Sequence, residues 1–241
     1  MQKDYINEIE ESMRINKFLS DAGYCSRREA DKLIEAGRVF IDGIPAKMGD
    51  RVTKDNEVSC NGQVIKREEE LILLAFNKPK GVVCTTTDKH NEVNIVDYIN
   101  YKKRIYPVGR LDKDSEGLIL MTNDGYIVNK ILKGSNMHEK EYVVKVNKDI
   151  TDAFIKGMSS GVPILDTVTR KCKVEAIDKR TFRIILTQGL NRQIRRMCEH
   201  FDYKVTALKR VRIMNINLGK LSTGKYRELS KNEIDELIRQ L

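Results

Sequence analysis

Apolar positions switch from helical to strand spacing early in the chain. Ile15, Phe18, Leu19 and Ala22 fall at i, i+3, i+4 and i+7, the stripe of a short amphipathic helix, and Gly23 stands where a left-handed residue would end it. Ser26 and Glu29 form the S-x-x-E pattern of a capping box, opening a second helix with Ala30, Leu33 and Ile34 inward and Gly37 as its stop. Strand spacing follows in Val39-Phe40-Ile41, with Asp42-Gly43 as a hairpin pair, and a second turn pair, Asn61-Gly62, separates Val58 from Val64-Ile65. Beyond the charge run Lys66-Arg67-Glu68-Glu69-Glu70, strand patterns predominate: Leu71 to Phe76, Leu118 to Met121, Glu141 to Val146, and a hairpin of residues 174–177 with 182–186 around Asp178-Lys179-Arg180. Two helical stripes interrupt them. One, after Gly189, carries Ile194, Met197, Cys198 and Phe201; the other, behind a Ser230/Glu233 capping pair, carries Ile234, Leu237, Ile238 and Leu241.

This order predicts an α+β chain in four pieces: an acidic N-terminal extension (1–12), a small α-then-β module (13–65), a charged linker (66–70) and a larger domain (71–241). The larger domain is expected to be built on a mixed, mainly antiparallel sheet with flanking helices. A length of 241 residues suits one small and one medium domain. No apolar run approaches the roughly 20 residues of a membrane span, and the first dozen residues have no apolar signal core, so a cytoplasmic protein is expected. Five scattered cysteines without a C-x-x-C pair predict reduced thiols rather than a disulfide framework or a zinc site.

Charge changes the picture in one region. The chain carries +9 overall, and between Gly189 and Arg212 seven basic residues face two acidic ones, a local +5. Such an excess predicts a polyanionic partner. The first module is different, with nine basic and eight acidic residues from Arg14 to Glu57, so it would act by placing its cations on one face. Arg27, Arg28 and Lys32 lie on the polar side of its second helix, behind Ser26 at the helix N-terminus, where phosphates can be held.

Three strings carry candidate chemistry in the larger domain: Asn77-Lys78-Pro79-Lys80-Gly81, then Gly109-Arg110-Leu111-Asp112-Lys113-Asp114-Ser115-Glu116-Gly117-Leu118, then Gly189-Leu190-Asn191-Arg192-Gln193-Ile194-Arg195-Arg196-Met197. Together they resemble the motifs of the RNA pseudouridine synthases. The segments Arg14 to Leu19, Ser26 to Ile34 and Gly37 to Gly43 resemble the S4 RNA-binding domain that the small-subunit-type branch of that family carries at its N-terminus. The resemblance spans nearly the whole chain after residue 12. No Gly-rich phosphate loop or ligand-spaced His/Cys cluster accompanies these strings, and no cofactor or metal is expected, in keeping with an isomerisation that has no net redox change. His138 and His200 lack the nucleophile elbow of a hydrolase.

The resemblance implies that Asp112 is the catalytic residue, as nucleophile or as base toward the ribose; the sequence does not choose. It makes Arg195 the guanidinium partner that keeps Asp112 charged, Arg110 the residue that enters the space left by a flipped nucleotide, and Tyr142 the ring packed on the target base. Arg14, Lys17, Ser26, Arg27, Arg28, Lys32, Arg192 and Arg196 are the RNA-binding candidates. Peripheral strings, Gly161 to Leu165, Lys171 to Val174 and Met197 to Phe201, look most like the branch acting on a 23S rRNA uridine near the peptidyl-transferase centre, in some members also on a tyrosine-tRNA anticodon uridine. The expected partner is therefore structured RNA and the expected state a monomer. The alternatives are a sister enzyme acting on an adjacent 23S or a 16S uridine, and a non-catalytic S4-type rRNA binder.

Overall fold

The capping box at Ser26 is formed as the sequence predicts. The Glu29 amide donates to Ser26 Oγ at 3.2 Å and the Ser26 amide to the Glu29 carboxylate, so two of the first amides of the helix are satisfied. The computed structural model describes residues 12–66, 70–85 and 92–241; the segment 1–11 and the linker positions 67–69 lie outside the described residues. The chain divides into two compact units. The first runs to Ile72 and takes in residues 102–105 and 123–125; the second is the remainder from Leu73.

In the first unit, β1 (Met13–Arg14) leads into α1 (Ile15–Asp21) and α2 (Arg27–Glu35), followed by β2 (Val39–Ile41), β3 (Ile44–Pro45), β4 (Arg51–Val52), β5 (Val58–Cys60) and β6 (Gln63–Val64). The strands β3-β2-β5-β6 form one antiparallel sheet, and β1 pairs with β4. Ile15, Leu19, Ala30, Ile34, Val39 and Val58 are buried together, the inward faces read from the spacing. Asp42-Gly43 and Asn61-Gly62 both take positive φ at each residue, the backbone of a type I′ hairpin turn. Arg14, Arg27, Arg28 and Lys32 are exposed.

The second unit contains β7 (Leu73–Lys78), α3 (Ile95–Ile99), β8 (Tyr106–Pro107), β9 (Glu116–Thr122), α4 (Gly125–Leu132), β10 (Lys140–Val146), α5 (Asp152–Ser159), β11 (Pro163–Ile164) and β12 (Thr167–Val168). It continues with β13 (Lys173–Asp178), β14 (Thr181–Leu186), α6 (Gln193–His200), β15 (Val205–Ile213), β16 (Ile216–Asn217), β17 (Tyr226–Glu228) and α7 (Lys231–Arg239). The main sheet runs β13-β14-β10-β15-β9-β7-β17, with β16 added to β15 and β8 to β9. All its pairings are antiparallel except β15 with β9. The sheet is thus mixed and mainly antiparallel, with helices against it. Among the described residues no helix is long and apolar enough to cross a membrane.

Two local features set the frame of the site. β7 begins two residues later than the apolar run suggests and continues through Asn77 and Lys78, both fully buried. It lies between β9 and β17, so even its polar residues are covered; Asn77 Nδ2 donates to Leu221 O at 2.7 Å and Lys78 Nζ to Pro79 O at 2.8 Å. In the parallel pair, Gly117 stands opposite Arg210 with φ 110°, and a Cβ there would overlap the Arg210 backbone. Only glycine lets β9 and β15 approach this closely.

Candidate active site

The Asp112 loop is held from below at several points. Val108 N donates to Leu120 O at 2.8 Å, Leu111 N to Cys84 Sγ at 3.4 Å, and Gly81 N to Lys113 O at 2.8 Å. Ser115 N closes a turn onto Asp112 O at 3.0 Å. The Leu111 side chain is sunk into the core with Tyr142, Ile194 and Leu208. Burying Leu111 turns its successor outward, and Asp112 presents a carboxylate that is 35% exposed. Lys113 is tied to Glu92 at 2.8 Å on the outer side.

Asp112 lies on a cleft of about 760 Å³. The Asp112 loop and Tyr106 form one wall, Gln188 to Arg195 another, and Lys140, Tyr142, Leu208 and Arg210 come from β10 and β15. Arg110 is exposed where the loop meets the cleft, whereas Tyr142 is 9% exposed, with its ring shared between cleft and core. The string of the first motif contributes Lys78 beneath the loop. Burial pushes its ammonium below the ordinary lysine range, opposed by Cys84 and by Asp112, Asp114 and Glu116.

The third string is brought to the loop as its spacing implies, but its arginines divide their tasks differently from expectation. Arg195 Nη2 pairs with Asp114 Oδ2 at 3.2 Å and donates to Ser115 Oγ at 3.3 Å; it is Arg192 Nη1 that approaches Asp112 Oδ2, at 3.7 Å, while also reaching Asp114 Oδ1 at 3.4 Å. The backbone explains this. Arg192 is the N-cap of α6 in a left-handed conformation (φ 49°), which turns its side chain across the loop. Arg195 lies inside the first turn of α6, only 11% exposed, and its guanidinium is directed under the loop. Arg196 is held by Asn191, through Nε to the carbonyl at 3.1 Å and Nη2 to Oδ1 at 3.3 Å.

In the first unit, Arg27, Arg28 and Lys32 are exposed on α2 and Arg14 on β1, whereas the Ser26 hydroxyl is engaged in the helix cap and Lys17 of α1 lies 3.8 Å from Asp21. All five cysteines are free thiols. Burial pushes Cys25 and Cys172 up to about 11 and Cys198 to about 12, which keeps them protonated and unreactive. Among the described residues no group of three His, Cys, Asp or Glu side chains is arranged to hold a metal.

Sequence reasoning missed two cleft residues. Lys140 opens β10 and Arg210 lies within β15, where single charges in a strand pattern read as solvent-facing alternation. Their position became visible only with the register, which sets Tyr142 of β10 opposite Arg210.

Residues 72–200 match the family model described as RNA pseudouridylate synthase, and residues 13–58 match that of the S4 domain. The dual-specificity RNA pseudouridine synthase RluF of Escherichia coli K12 is 55% identical over 230 residues, covering 95% of this chain and 79% of that protein. Ribosomal large subunit pseudouridine synthase B of Bacillus subtilis is 34% identical over 232 residues, 93% of this chain and 95% of that one. Among solved structures, a crystal structure of a pseudouridylate synthase superposes with a TM-score of 0.69 at 27% identity, covering 93% of this chain and 99% of the other.

Proposed function

The chain belongs to the RNA pseudouridine synthase family, with an S4 domain ahead of the isomerase domain, and from that premise we propose that it converts a 23S rRNA uridine near the peptidyl-transferase centre to pseudouridine, and with it a uridine of a tyrosine-tRNA anticodon, using Asp112. The observation that carries the residue assignment is the carboxylate of Asp112 on the wall of a nucleotide-sized cleft, with a guanidinium 3.7 Å away. The family is an isomerase of RNA, and the finer target rests on 55% identity to a dual-specificity enzyme against 34% to a large-subunit enzyme of another branch.

The reaction exchanges a C1′–N1 bond for a C1′–C5 bond. The first breaks with its electron pair on the base; the base turns; the second forms from the electrons of the base, C5 loses a proton and N1 takes one up. Asp112 serves either by adding to C1′ or by taking a proton from the ribose, and both routes need it ionised. Arg192 brings its guanidinium to 3.7 Å from that carboxylate, and Arg195 positions the loop by holding Asp114 and Ser115. A target uridine must leave the RNA stack to reach this wall. Arg110, exposed beside Asp112, fills the place it leaves, and the buried Tyr142 supplies an apolar surface for the base. Arg27, Arg28 and Lys32 of α2 hold backbone phosphates, the enzyme acts as a monomer, and its RNA places it in the cytoplasm.

The test is sequencing of chemically marked pseudouridines in rRNA and tRNA from a strain lacking the gene, complemented with the wild-type or the Asp112→Asn protein. The expected result is loss of one 23S site and one tyrosine-tRNA site, restored only by the wild-type protein. Loss of a 16S site instead would establish the sister-enzyme reading, and restoration by the Asp112→Asn protein would overturn the catalytic assignment.

A further inference from the structure

Two cations of the cleft, the buried Arg210 and the half-buried Lys140, have no salt-bridge partner among the described residues. Arg210 is 3% exposed; its Nε donates to Leu118 O at 2.6 Å, and its Nη2 is buried with no partner among the described residues. The Lys140 ammonium makes one hydrogen bond among the described residues, to His138 O at 3.4 Å, and burial followed by the charge of Arg210 lowers it to about 8. Two desolvated cations beside each other are costly unless an anion arrives between them.

The acids on either side of Lys140 are turned elsewhere. Glu139 and Glu141 flank Lys140, yet both are held by Arg212, at 2.8 and 2.9 Å, and Arg183 adds to Glu141 at 3.3 Å. Lys140 and Tyr142, two positions apart on β10, both line the cleft, and Arg210 is the register partner of Tyr142 across β15. The result is a cationic seat around the ring of Tyr142. Arg110 and Arg192 are exposed and suit the phosphates of an incoming RNA; Arg210 is too deep for a phosphate and suits the innermost part of the nucleotide, the base.

We propose that Lys140 and Arg210 bind the carbonyl oxygens of the target uracil and stabilise the base as it departs. This rests on the isomerase reading above. When C1′–N1 breaks, the electron pair spreads from N1 onto O2 and O4, whichever role Asp112 takes. Cations placed at those oxygens bind the departing uracilate more strongly than neutral uracil, so they lower the barrier rather than merely tighten binding. The charge returns to neutral when C5 joins C1′, C5 releases its proton and N1 gains one.

The experiment uses the full chain and two stem-loop RNAs, one with uridine at the target and one with 5-fluorouridine, whose base leaves as a more stable anion. Single-turnover rates to the rearranged nucleoside, RNA Kd and Tm are measured for wild type, Lys140→Met and Lys140→Arg. Lys140→Met is expected to slow the uridine reaction about 100-fold, the scale of losing one charge-stabilising donor. It should keep Kd within about threefold, lose less than about tenfold on 5-fluorouridine, and keep or raise Tm because a half-buried cation without a salt-bridge partner is removed. Lys140→Arg should recover most of the rate. An equal loss on both RNAs, or a fall in Tm that accounts for the loss, would show a structural lysine and overturn the proposal. A weaker Kd at an unchanged rate would show a phosphate contact and overturn it too. If the wild-type protein rearranged neither RNA, the isomerase target reading would fail instead, which keeps the two failures apart.

Discussion

Asp112 owes its place to its neighbours: Leu111 is buried in the core, its amide is bonded to Cys84, and the turn after Asp112 is closed by Ser115. A substitution that keeps the shape of the side chain should therefore leave the loop intact. Asp112→Asn is expected to drop single-turnover rate by at least about 1,000-fold while RNA Kd stays within about threefold, because an amide can neither add to C1′ nor accept the proton. Activity near wild type in a clean preparation would remove Asp112 from the mechanism. The two arginines should separate by the quantity they change. Arg195 is 11% exposed and ties Asp114, Ser115 and Val205 O together, so Arg195→Ala should lower Tm and turnover together. Arg192 is 42% exposed, and Arg192→Ala should spare Tm while reducing turnover and RNA affinity. Thermal melts with a Kd and rate pair for each variant check this; a stable, slow Arg195→Ala protein would mean that it acts on substrate directly. The sequence indicated both arginines and the carboxylate. It assigned Arg195 to Asp112, whereas the structure sets Arg192 beside Asp112 and Arg195 on Asp114, because the pairing depends on a left-handed backbone at Arg192 that residue spacing does not encode.

At the scale of elements, the close approach of β9 and β15 makes Gly117 the least replaceable residue of the sheet. Gly117→Ala puts a methyl into the Arg210 backbone at positive φ and should destabilise by about 3 kcal/mol or more, seen as a lower denaturant midpoint with loss of activity. A midpoint equal to wild type would show that the two strands can separate at no cost. The C-terminal helix α7 gives a pH-dependent case. Hydrogen bonding to Arg227, at 2.7 and 2.8 Å, holds the Glu233 carboxyl down at about 2. Since this folded value lies below the ordinary 4.5, the stabilisation is complete above 4.5 and lost as pH falls toward 2. The Tm of wild type should exceed that of Glu233→Gln at pH 7, with the gap closing across that acid range; a gap constant with pH would exclude the ion pair as its source. Helices α1, α2, α6 and α7 and the hairpin turns were legible because caps, stripes and turn pairs are local. Lys140 and Arg210 were not, because whether a charged strand residue faces solvent or a cleft is decided by partners far along the chain.

For the whole molecule, the two units predict separable effects. Cations of α2 are exposed and solvent-facing, so Arg27→Ala with Arg28→Ala should weaken RNA binding and reduce the slope of log K against log salt by about one unit per lost phosphate contact, with the rate at saturating enzyme unchanged. A rate defect at saturation would instead give the first unit a part in the chemistry. The parallel pairing of Gly117 with Arg210 has a consequence for biosynthesis. Arg210 reaches the Leu118 carbonyl from 92 positions away, and the antiparallel hairpins can form long before that contact closes. Long-range parallel pairing is slow because the intervening loop must be ordered first. A nascent chain released before β15 therefore holds every residue of the Asp112 loop and of α6, yet has no strand to join them across the sheet. In pulse-labelled refolding, hydrogen-exchange protection where β15 meets β9, at Glu116–Gly117 and Lys209–Arg210, should appear after that of the β7–β9 pair, and isomerase activity should recover with the rate constant of the later step.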